Sequence, residues 1–211
     1  MAEVPDRKHM TQLCAINPLL DQLNDYPFDR LRALLDGIEP PAGIEPVILS
    51  IGEPRHPPPA AINIELTRDP ALWGKYPPVD GTPEWRAAVV GWLNRRFGVQ
   101  SLDADTQILP LSGTREGLYM ACQLAMPRKR GHAKPPVVLS PNPFYQVYSG
   151  GGIMAGAEVV FLDAVAETGF MPDLESLTAD ILERTAVFYL CNPGNPQGAI
   201  AGPDYVRRAL D

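Results

Sequence analysis

Three short segments of this 211-residue chain place small, aromatic and amide residues directly after apolar runs that are typical of buried strands. The segments are SGTREGL (112–118), PNPFYQVY (141–148) and CNPGNPQG (191–198). In open α/β sheets, ligands bind beyond the carboxyl ends of the strands. Residues at these three positions are therefore the first candidates for chemistry.

The first segment has the composition of a phosphate-binding turn. Ser112 and Gly113 are followed by Thr114 and Arg115, where a helical pattern begins. Small residues at a strand-to-helix turn leave backbone N–H groups pointing outward, and the amino end of a helix favours an anion. The hydroxyls of Ser112 and Thr114 add two donors. The alternative is simple capping of the helix by Ser or Thr, which requires no ligand.

Aromatic residues crowd the second segment. Phe144, Tyr145 and Tyr148 follow the apolar run VVLS, and an aromatic side chain at a strand end can stack on a flat ring. The alternative is that all three are core residues on a helix face, since positions 145 and 148 share one side of a helix. The pattern alone leaves both interpretations open.

The third segment holds two amides in a stiff loop. Asn192 and Asn195 each precede a proline, and Gly194 and Gly198 allow a close approach of the backbone. An amide held at a strand end can hydrogen-bond a ring substituent, or it can form an Asx turn that satisfies only its own backbone. A phosphate cradle, an aromatic plate and a fixed amide together suit a flat, phosphorylated and hydroxylated aromatic cofactor. Pyridoxal 5′-phosphate fits that description.

Short apolar runs alternate with helical patterns through most of the chain. The runs are VILSI (47–51), QILPL (107–111), VVLS (137–140), EVVFL (158–162) and AVFYL (186–190). Continuous apolar strands separated by helices predict an α/β domain with a mainly parallel sheet sandwiched by helices.

The first forty residues have a different pattern, which predicts a helical arm. Asn17 is a suitable N-cap, Pro27 interrupts the helical spacing of the leucines, and Gly37 can end the second helical piece. We therefore expect a helical arm, belonging in part to a small domain, over 1–46 and a sheet domain over 47–211.

Composition and charge narrow the classes of partner. The formal net charge is −7 and the isoelectric point is near 5.0, which argues against nucleic acid or an anionic membrane because those partners require a basic face. Three cysteines without a CxxC pattern indicate free thiols in a reducing compartment and no zinc site. No apolar run reaches transmembrane length, and the first residues lack a signal-peptide core. A soluble, cytoplasmic protein is expected.

Weaker patterns admit simple structural explanations. GGGIMAG (150–156) is superficially like a dinucleotide-binding loop, but no strand pattern precedes it, so close helix packing explains it better. The basic residues 128–130 and Lys134 follow a helix end, where cations are favoured. Arg55 and His56 either edge a pocket for an acidic substrate or are ordinary loop residues.

Six stretches resemble a known enzyme family. In order they are LSIGEP, KYPPVDGTPEWRAAV, LPLSGTREGL, SPNPFYQVY, GAEVVFL and CNPGNPQGA. Over nearly all of the chain they are similar to the N-terminal part of the class I/II aminotransferases, which are fold-type I pyridoxal-phosphate enzymes. The resemblance implies the large cofactor-binding domain of that fold, in truncated form. Within the family, the opening INPLLDQLNDYPFDRLRALL and SGTREGL look most like the N-succinyldiaminopimelate aminotransferases of lysine biosynthesis.

The resemblance implies cofactor-binding roles for five residues at the three strand ends. Gly113, Thr114 and Arg115 would hold the phosphate, chiefly through their backbone N–H groups. Tyr145 would stack on the pyridine ring, and Asn195 would bond the 3′-oxygen of that ring. Asn192 is expected to serve the loop itself.

Two further residues would act elsewhere in the site. Tyr76 would reach the phosphate of the neighbouring subunit's cofactor in a homodimer, and Gly52 would lie against the substrate carboxylate. Gln197 stands where the family usually has threonine, which we expect to have little effect.

The family's catalytic lysine has no counterpart among these 211 residues. That lysine forms a Schiff base with the cofactor and moves a proton, and none of Lys8, Lys75, Lys129 and Lys134 matches its position. We therefore predict no catalytic residue, and we expect a fragment that cannot transaminate alone.

The resemblance implies transfer of an amino group from an amino acid to a 2-oxo acid or semialdehyde. Glutamate is the expected donor, and N-succinyl-2-amino-6-oxopimelate is the acceptor if the narrower match holds. The alternatives are aspartate- or kynurenine-type substrates, or a non-catalytic interaction module.

Overall fold

The computed structural model of the protein describes residues 16–23, 26–45, 47, 49–53, 56–127 and 134–211. Its α-helices are α1 (Pro27–Leu35), α2 (Ala60–Arg68), α3 (Pro83–Phe97), α4 (Thr114–Ala125), α5 (Gln146–Met154), α6 (Ala179–Arg184) and α7 (Pro203–Leu210). Its strands are β1 (Val137–Asn142), β2 (Glu158–Asp163) and β3 (Thr185–Phe188). Short 3₁₀ helices cover Pro18–Gln22, Pro70–Gly74, Ala166–Thr168 and Leu174–Ser176.

Strand β1 lies between β2 and β3, and both pairs are parallel. Its pairing with β2 runs from Val137 opposite Glu158 to Asn142 opposite Asp163. Helix α5 connects β1 to β2 and helix α6 precedes β3, as the crossovers of parallel strands require. The first five residues of β1 are buried, as expected for a strand covered on both faces. The predicted parallel sheet flanked by helices is confirmed.

Hydrophobic clusters cover both faces of β1 because its side chains alternate. Val138 belongs to the cluster on one face, and Val137 and Leu139 belong to the cluster on the other. Helix α5 packs closely on the sheet through Gly152, where an added Cβ would lie 2.8 Å from Cγ2 of Val159. Close packing therefore explains Gly152 of GGGIMAG, as predicted, whereas a Cβ at Gly150 would meet nothing within 4 Å.

Two predicted strands are not formed in the part of the chain that the structure describes. Residues 107–111 adopt no strand, and the described positions of 47–51 adopt none either. Leu49 is 86% exposed and Leu109 is 66% exposed. An apolar strand of a parallel sheet is stable only beside hydrogen-bonded neighbours, and Pro110 lacks the N–H that such pairing uses. The prediction of a strand at 107–111 was therefore wrong.

The arm forms two helical pieces, as predicted. The side chain of Asn17 caps the first piece by accepting a hydrogen bond from the N–H of Leu19 at 3.0 Å. The second piece is α1, which is followed by Gly37 at a positive φ of 74°. No helix among the described residues is both long and apolar enough to cross a membrane.

Contacts divide the chain into two compact units. The sheet unit comprises Met1–Tyr26 and Leu111–Asp211, and the helical unit comprises Pro27–Pro110. This division differs from the boundary between 1–46 and 47–211, which stays a prediction. The candidate residues of the segments 112–118, 141–148 and 191–198 all belong to the sheet unit.

Candidate functional site

Helix α4 begins directly after the small residues of the first segment. Gly113 is its N-cap, with an extended backbone (φ 170°, ψ 153°), and no side chain of the described residues caps this end. The N–H of Gly117 donates to the carbonyl of Gly113 at 3.1 Å, so the N–H groups before it have no partner within the helix. Capping by Ser112 or Thr114 is therefore not observed. The amino end of α4 can accept an anion, which the helix dipole favours.

Glu116 contributes to this helix end in a way that the motif did not predict. Its carboxylate lies against Gly113, so close that a Cβ at position 113 would overlap it. An acidic side chain in the first turn of a helix is the sequence signal for such an arrangement. A phosphate at this helix end has to share it with the Glu116 carboxylate or displace it.

The first and second segments are in direct contact. Nε of Arg115 donates a hydrogen bond to the hydroxyl of Tyr145 at 2.5 Å, and the guanidinium carbon lies 5.9 Å from the centre of the tyrosine ring. This hydrogen bond raises the pKa of Arg115 above its ordinary value. The structure thus brings the amino end of α4 and the loop after β1 together.

The aromatic residues divide into core and surface. Tyr148 and Tyr189 are buried and stack with their rings 4.3 Å apart, and Phe144 packs on Phe161. Burial raises the pKa of both stacked phenols. Tyr145 meets Tyr148 edge-on at 5.9 Å but keeps 39% of its surface exposed. Of the three predicted aromatics, Tyr145 is thus the one left available to a ligand ring.

The third segment uses its two amides differently. Oδ1 of Asn192 accepts a hydrogen bond from the N–H of Ala201 at 3.0 Å, which closes the loop. Gly198, at a φ of 76°, donates its N–H to the carbonyl of Gly194 at 2.7 Å. The side chain of Asn195 is exposed and forms no hydrogen bond with any described residue. Asn192 therefore serves the loop, as predicted, and Asn195 is free for a ligand.

A shallow pocket opens beside Asn195. Its lining includes Asn195, Gln197, Cys191, Pro141, Pro143 and Phe170. Nε2 of Gln197 donates to the carbonyl of Ala164 at 3.4 Å, which ties the loop to the end of β2. Arg115 and Tyr145 do not line this pocket.

The remaining predicted residues belong to the helical unit. Tyr76 is fully exposed, and a Cβ added at Gly52 would meet nothing within 4 Å. His56 is exposed, and Arg55 lies outside the described residues. The roles predicted for Tyr76 and Gly52 stay predictions.

The lysines and acidic groups of the described residues suggest no further catalytic centre. Nζ of Lys134 bonds Asp180 at 2.9 Å, and Lys75 is exposed. Lys8 and Lys129 lie outside the described residues, as do the basic residues 128–130. Within the described ranges, no cluster of His, Cys, Asp and Glu has the arrangement of a metal site.

Sequence comparison identifies the family. Residues 44–211 match the family model described as aminotransferase class I and II. The chain belongs to this family. It is 36% identical over 172 residues to the LL-diaminopimelate aminotransferase of Dehalococcoides mccartyi strain 195, and 34% identical over 186 residues to that of Syntrophobacter fumaroxidans. These stretches cover 80% and 86% of this chain but 42% and 45% of the relatives, so the chain spans less than half their length.

Solved structures agree with the family. An aminotransferase from Neisseria meningitidis Z2491 superposes with a TM-score of 0.85 at 39% identity, over 93% of this chain and 49% of that one. The aminotransferase AspB from Helicobacter pylori 26695 gives a TM-score of 0.77 at 29% identity, over 89% and 47% of the two chains. The fold is therefore that of the large aminotransferase domain, in part.

Pyridoxal 5′-phosphate is the cofactor of this family, and the residues at the carboxyl edge of the sheet fit it. The amino end of α4 lacks a side-chain cap, Tyr145 exposes part of its ring, and the amide of Asn195 has no partner among the described residues. Features of these three kinds can hold a phosphate, an aromatic ring and a ring hydroxyl, and the role of each residue stays a prediction. The relatives named above are LL-diaminopimelate aminotransferases, whereas the sequence motifs pointed to the N-succinyl enzymes.

Proposed function

We propose that this chain forms the cofactor-binding part of a pyridoxal-phosphate-dependent aminotransferase. The observation that carries the proposal is the difference between two amides of one loop. Asn192 is bonded to the backbone of Ala201 at 3.0 Å, whereas Asn195 has no partner among the described residues and lines a pocket at the carboxyl edge of the sheet. An exposed amide on a loop that is fixed by other bonds is suited to bind a ligand.

Each residue of the site has one task in this proposal. The backbone N–H groups of Gly113, Thr114 and Arg115 bind the phosphate, since this helix end has no other cap. Tyr145 supports the ring by stacking, and Asn195 donates an amide N–H to the 3′-oxygen. The bound cofactor supplies an electron-withdrawing ring that stabilises negative charge on the substrate carbon.

Binding then changes the contacts of two side chains. Tyr145 accepts a hydrogen bond from Arg115, and this bond holds the ring beside the helix end. The carboxylate of Glu116 lies over Gly113 and has to move or share the N–H groups when a phosphate binds. Because the two groups carry the same sign of charge, displacement of Glu116 is the expected outcome.

Two further assignments concern the assembled enzyme. Tyr76 binds the phosphate of the cofactor in a neighbouring subunit, and Gly52 lies against the substrate carboxylate. The full exposure of Tyr76 supports the first assignment, because its side chain packs on nothing within its own unit. The assembly proposed is a homodimer, and its location is cytoplasmic.

The proposed reaction moves an amino group from an amino acid, with glutamate expected, to a 2-oxo acid or semialdehyde whose aminated product is of the diaminopimelate type. The names of the relatives favour LL-diaminopimelate as the amino acid. The sequence motifs favour its N-succinyl derivative, and aspartate- or kynurenine-type substrates are further alternatives. Titration of the cofactor-loaded protein with LL-diaminopimelate, its N-succinyl derivative and aspartate separates these classes, and the tightest ligand identifies the substrate class.

Cofactor binding tests the proposal without requiring turnover. The probe is pyridoxamine 5′-phosphate, because it has no aldehyde and cannot form covalent adducts with surface lysines. Calorimetry should show saturable binding to the 211-residue chain, with at least about tenfold weaker binding of pyridoxamine, which lacks the phosphate. Equal binding of both compounds, or none, would contradict the proposal and favour a non-catalytic interaction module.

Catalysis of amino-group transfer requires a separate test. Because none of the described lysines lies among the candidate site residues, we expect no amino-group transfer by the 211-residue chain when pyridoxal 5′-phosphate and glutamate are supplied. A measurable rate of transfer above a protein-free blank would show that this expectation is wrong.

A further inference from the structure

A buried arginine in the helical unit has no place in the function proposed so far. Arg86 lies in the first turn of α3 and is 7% exposed, and it is the buried charged residue of that unit among the described residues. A buried guanidinium needs hydrogen-bond acceptors around it. The identity of those acceptors shows what Arg86 holds together.

The guanidinium joins two turns that precede and follow α3. Nη1 donates to the carbonyl of Asp80 at 3.3 Å, to its carboxylate at 3.1 Å and to the carbonyl of Gly81 at 2.8 Å. Nη2 donates to Oδ1 of Asp105 at 2.9 Å. Nε is buried without a partner among the described residues. The Nε–H of Arg86 thus has no hydrogen bond to a described residue, whereas its two terminal nitrogens bind both turns.

Both turns are ordered by their own hydrogen bonds. In the first, the N–H of Gly81 donates to the carbonyl of Pro78 at 3.1 Å. In the second, the hydroxyl of Thr106 donates to Asp103 at 2.7 Å, and the N–H of Asp105 donates to the same carboxyl group at 3.0 Å. Asp105 is therefore a fixed support, and Arg86 ties the first turn to it.

The segment Tyr76–Asp80 depends on this support. Tyr76 is fully exposed and Val79 is 93% exposed, so side-chain packing does not orient the segment. Two prolines at 77 and 78 limit its backbone conformations. Its other end is held where the N–H of Lys75 donates to the carbonyl of Leu72 at 3.2 Å. The direction of Tyr76 is therefore set by the backbone anchors at the two ends.

We propose that Arg86 is a positioning residue that fixes the segment Tyr76–Asp80 and thereby the place of Tyr76. Arg86 itself touches neither cofactor nor substrate. The inference rests on the proposed function where it concerns the cofactor phosphate, since Tyr76 is there assigned to that phosphate in a neighbouring subunit. The anchoring of the segment stands on the hydrogen bonds alone.

Cleavage after Lys75 tests the anchoring. Endoproteinase Lys-C is the appropriate protease, because replacing an arginine does not change its set of cleavage sites. Arg86→Met and Arg86→Gln should accelerate cleavage of the Lys75–Tyr76 bond at least about tenfold, because the segment opens locally. Arg95→Met, at an exposed position of the same helix, should leave the rate unchanged.

A milder variant guards against general unfolding. Asp105 is largely exposed, so Asp105→Asn should keep the fold, as checked by circular dichroism, and still accelerate cleavage after Lys75 by a smaller factor. Equal cleavage rates in the wild type and in folded Arg86 and Asp105 variants would overturn the proposal.

Coupling to Tyr76 tests the positioning role. The measured quantity is the ratio of the affinities for pyridoxamine 5′-phosphate and pyridoxamine. Tyr76→Phe and Arg86→Met should each lower this ratio by a similar factor, and the double variant should lower it no further. Independent, additive losses would overturn the positioning role. If the wild type binds pyridoxamine 5′-phosphate no more tightly than pyridoxamine, the proposed function is contradicted. The Lys-C cleavage rates would still decide whether Arg86 anchors the segment.

Discussion

At the amino-terminal edge of the sheet, where the three strands begin, polar side chains bind one another, whereas at the carboxyl edge the side chain of Asn195 has no hydrogen-bond partner among the described residues. Arg184 lies at the first edge with 5% of its side chain exposed. It donates to the carbonyl of Pro135 at 2.8 Å, to Glu158 at 2.7 Å and to Asp180 at 2.9 Å. Lys134 adds a second cation to Asp180.

At the carboxyl edge, the polar side chains at the ends of β1 and β2 form a hydrogen bond with each other, whereas the side chain of Asn195 after β3 forms none with a described residue. Between β1 and β2, Nδ2 of Asn142 donates to Asp163 at 2.8 Å. After β3, the side chain of Asn195 has no hydrogen-bond partner among the described residues, and no side chain among them caps the start of α4. We expect the satisfied edge to serve stability and the open part of the other edge to bind a ligand.

The largest expected effect is at the satisfied edge. Arg184→Met leaves Glu158 and the carbonyl of Pro135 without their donor, so the midpoint of thermal unfolding should fall by about 5 °C or more. Affinity for pyridoxamine 5′-phosphate should be retained below the midpoint. Arg207→Met removes an exposed ion pair with Asp204 and should change the midpoint by no more than about 1 °C. Similar unfolding midpoints for the two variants would contradict the stabilising role of the hydrogen bonds at the amino-terminal edge.

The two asparagines of the loop 191–198 allow a stabilising side chain to be compared directly with one proposed to bind the ligand. Asn195→Ala should weaken binding of pyridoxamine 5′-phosphate about tenfold, because a hydrogen bond to the ligand is lost, and should leave the unfolding free energy unchanged. Asn192→Ala removes the bond to Ala201 and should lower the unfolding free energy by about 1 kcal/mol. Calorimetry and urea unfolding measure the two quantities. The reverse assignment, with Asn195 stabilising and Asn192 binding, would refute the account of this loop.

The smallest expected effect is a pH dependence at the satisfied edge. Hydrogen bonds from Lys134 and Arg184 lower the pKa of Asp180 below its ordinary value. As the pH falls, the unfolded chain therefore takes up this proton first, so the stabilisation present above about pH 4 is lost as the pH drops through the lowered pKa. Urea unfolding between pH 6 and the acid limit should show a flatter loss for Asp180→Asn than for the wild type. Lys134→Met should lie between the two, and identical slopes would contradict this.

The sequence predicted the elements that local patterns determine. The runs that became β1, β2 and β3 are apolar and β-branched, and the cap at Asn17 is a local signal. The run at 107–111 is also apolar but forms no strand, because strand formation also depends on pairing with strands that are distant in sequence. Pairing partners of that kind cannot be obtained from a local pattern.

The cofactor-binding roles that the motifs suggest for Tyr145 and Asn195 stay predictions. The motifs correctly assigned Asn192 to the loop, whereas they carry no information on the contacts of the candidate site. The bond between Arg115 and Tyr145 joins residues 30 positions apart, and the contacts of Arg86 and Arg184 depend on how turns and strands are arranged in space. A single sequence carries no signal for these contacts.

Nuclear magnetic resonance of the isotope-labelled chain during titration with pyridoxamine 5′-phosphate tests the central claim most directly. Backbone amide signals of Gly113, Thr114, Arg115 and Asn195 should shift with one common saturation curve. Signals of Glu158 and Thr185, at the opposite edge, should stay in place. Shifts concentrated at Glu158 and Thr185, or no saturable shift at the carboxyl edge, would contradict the account.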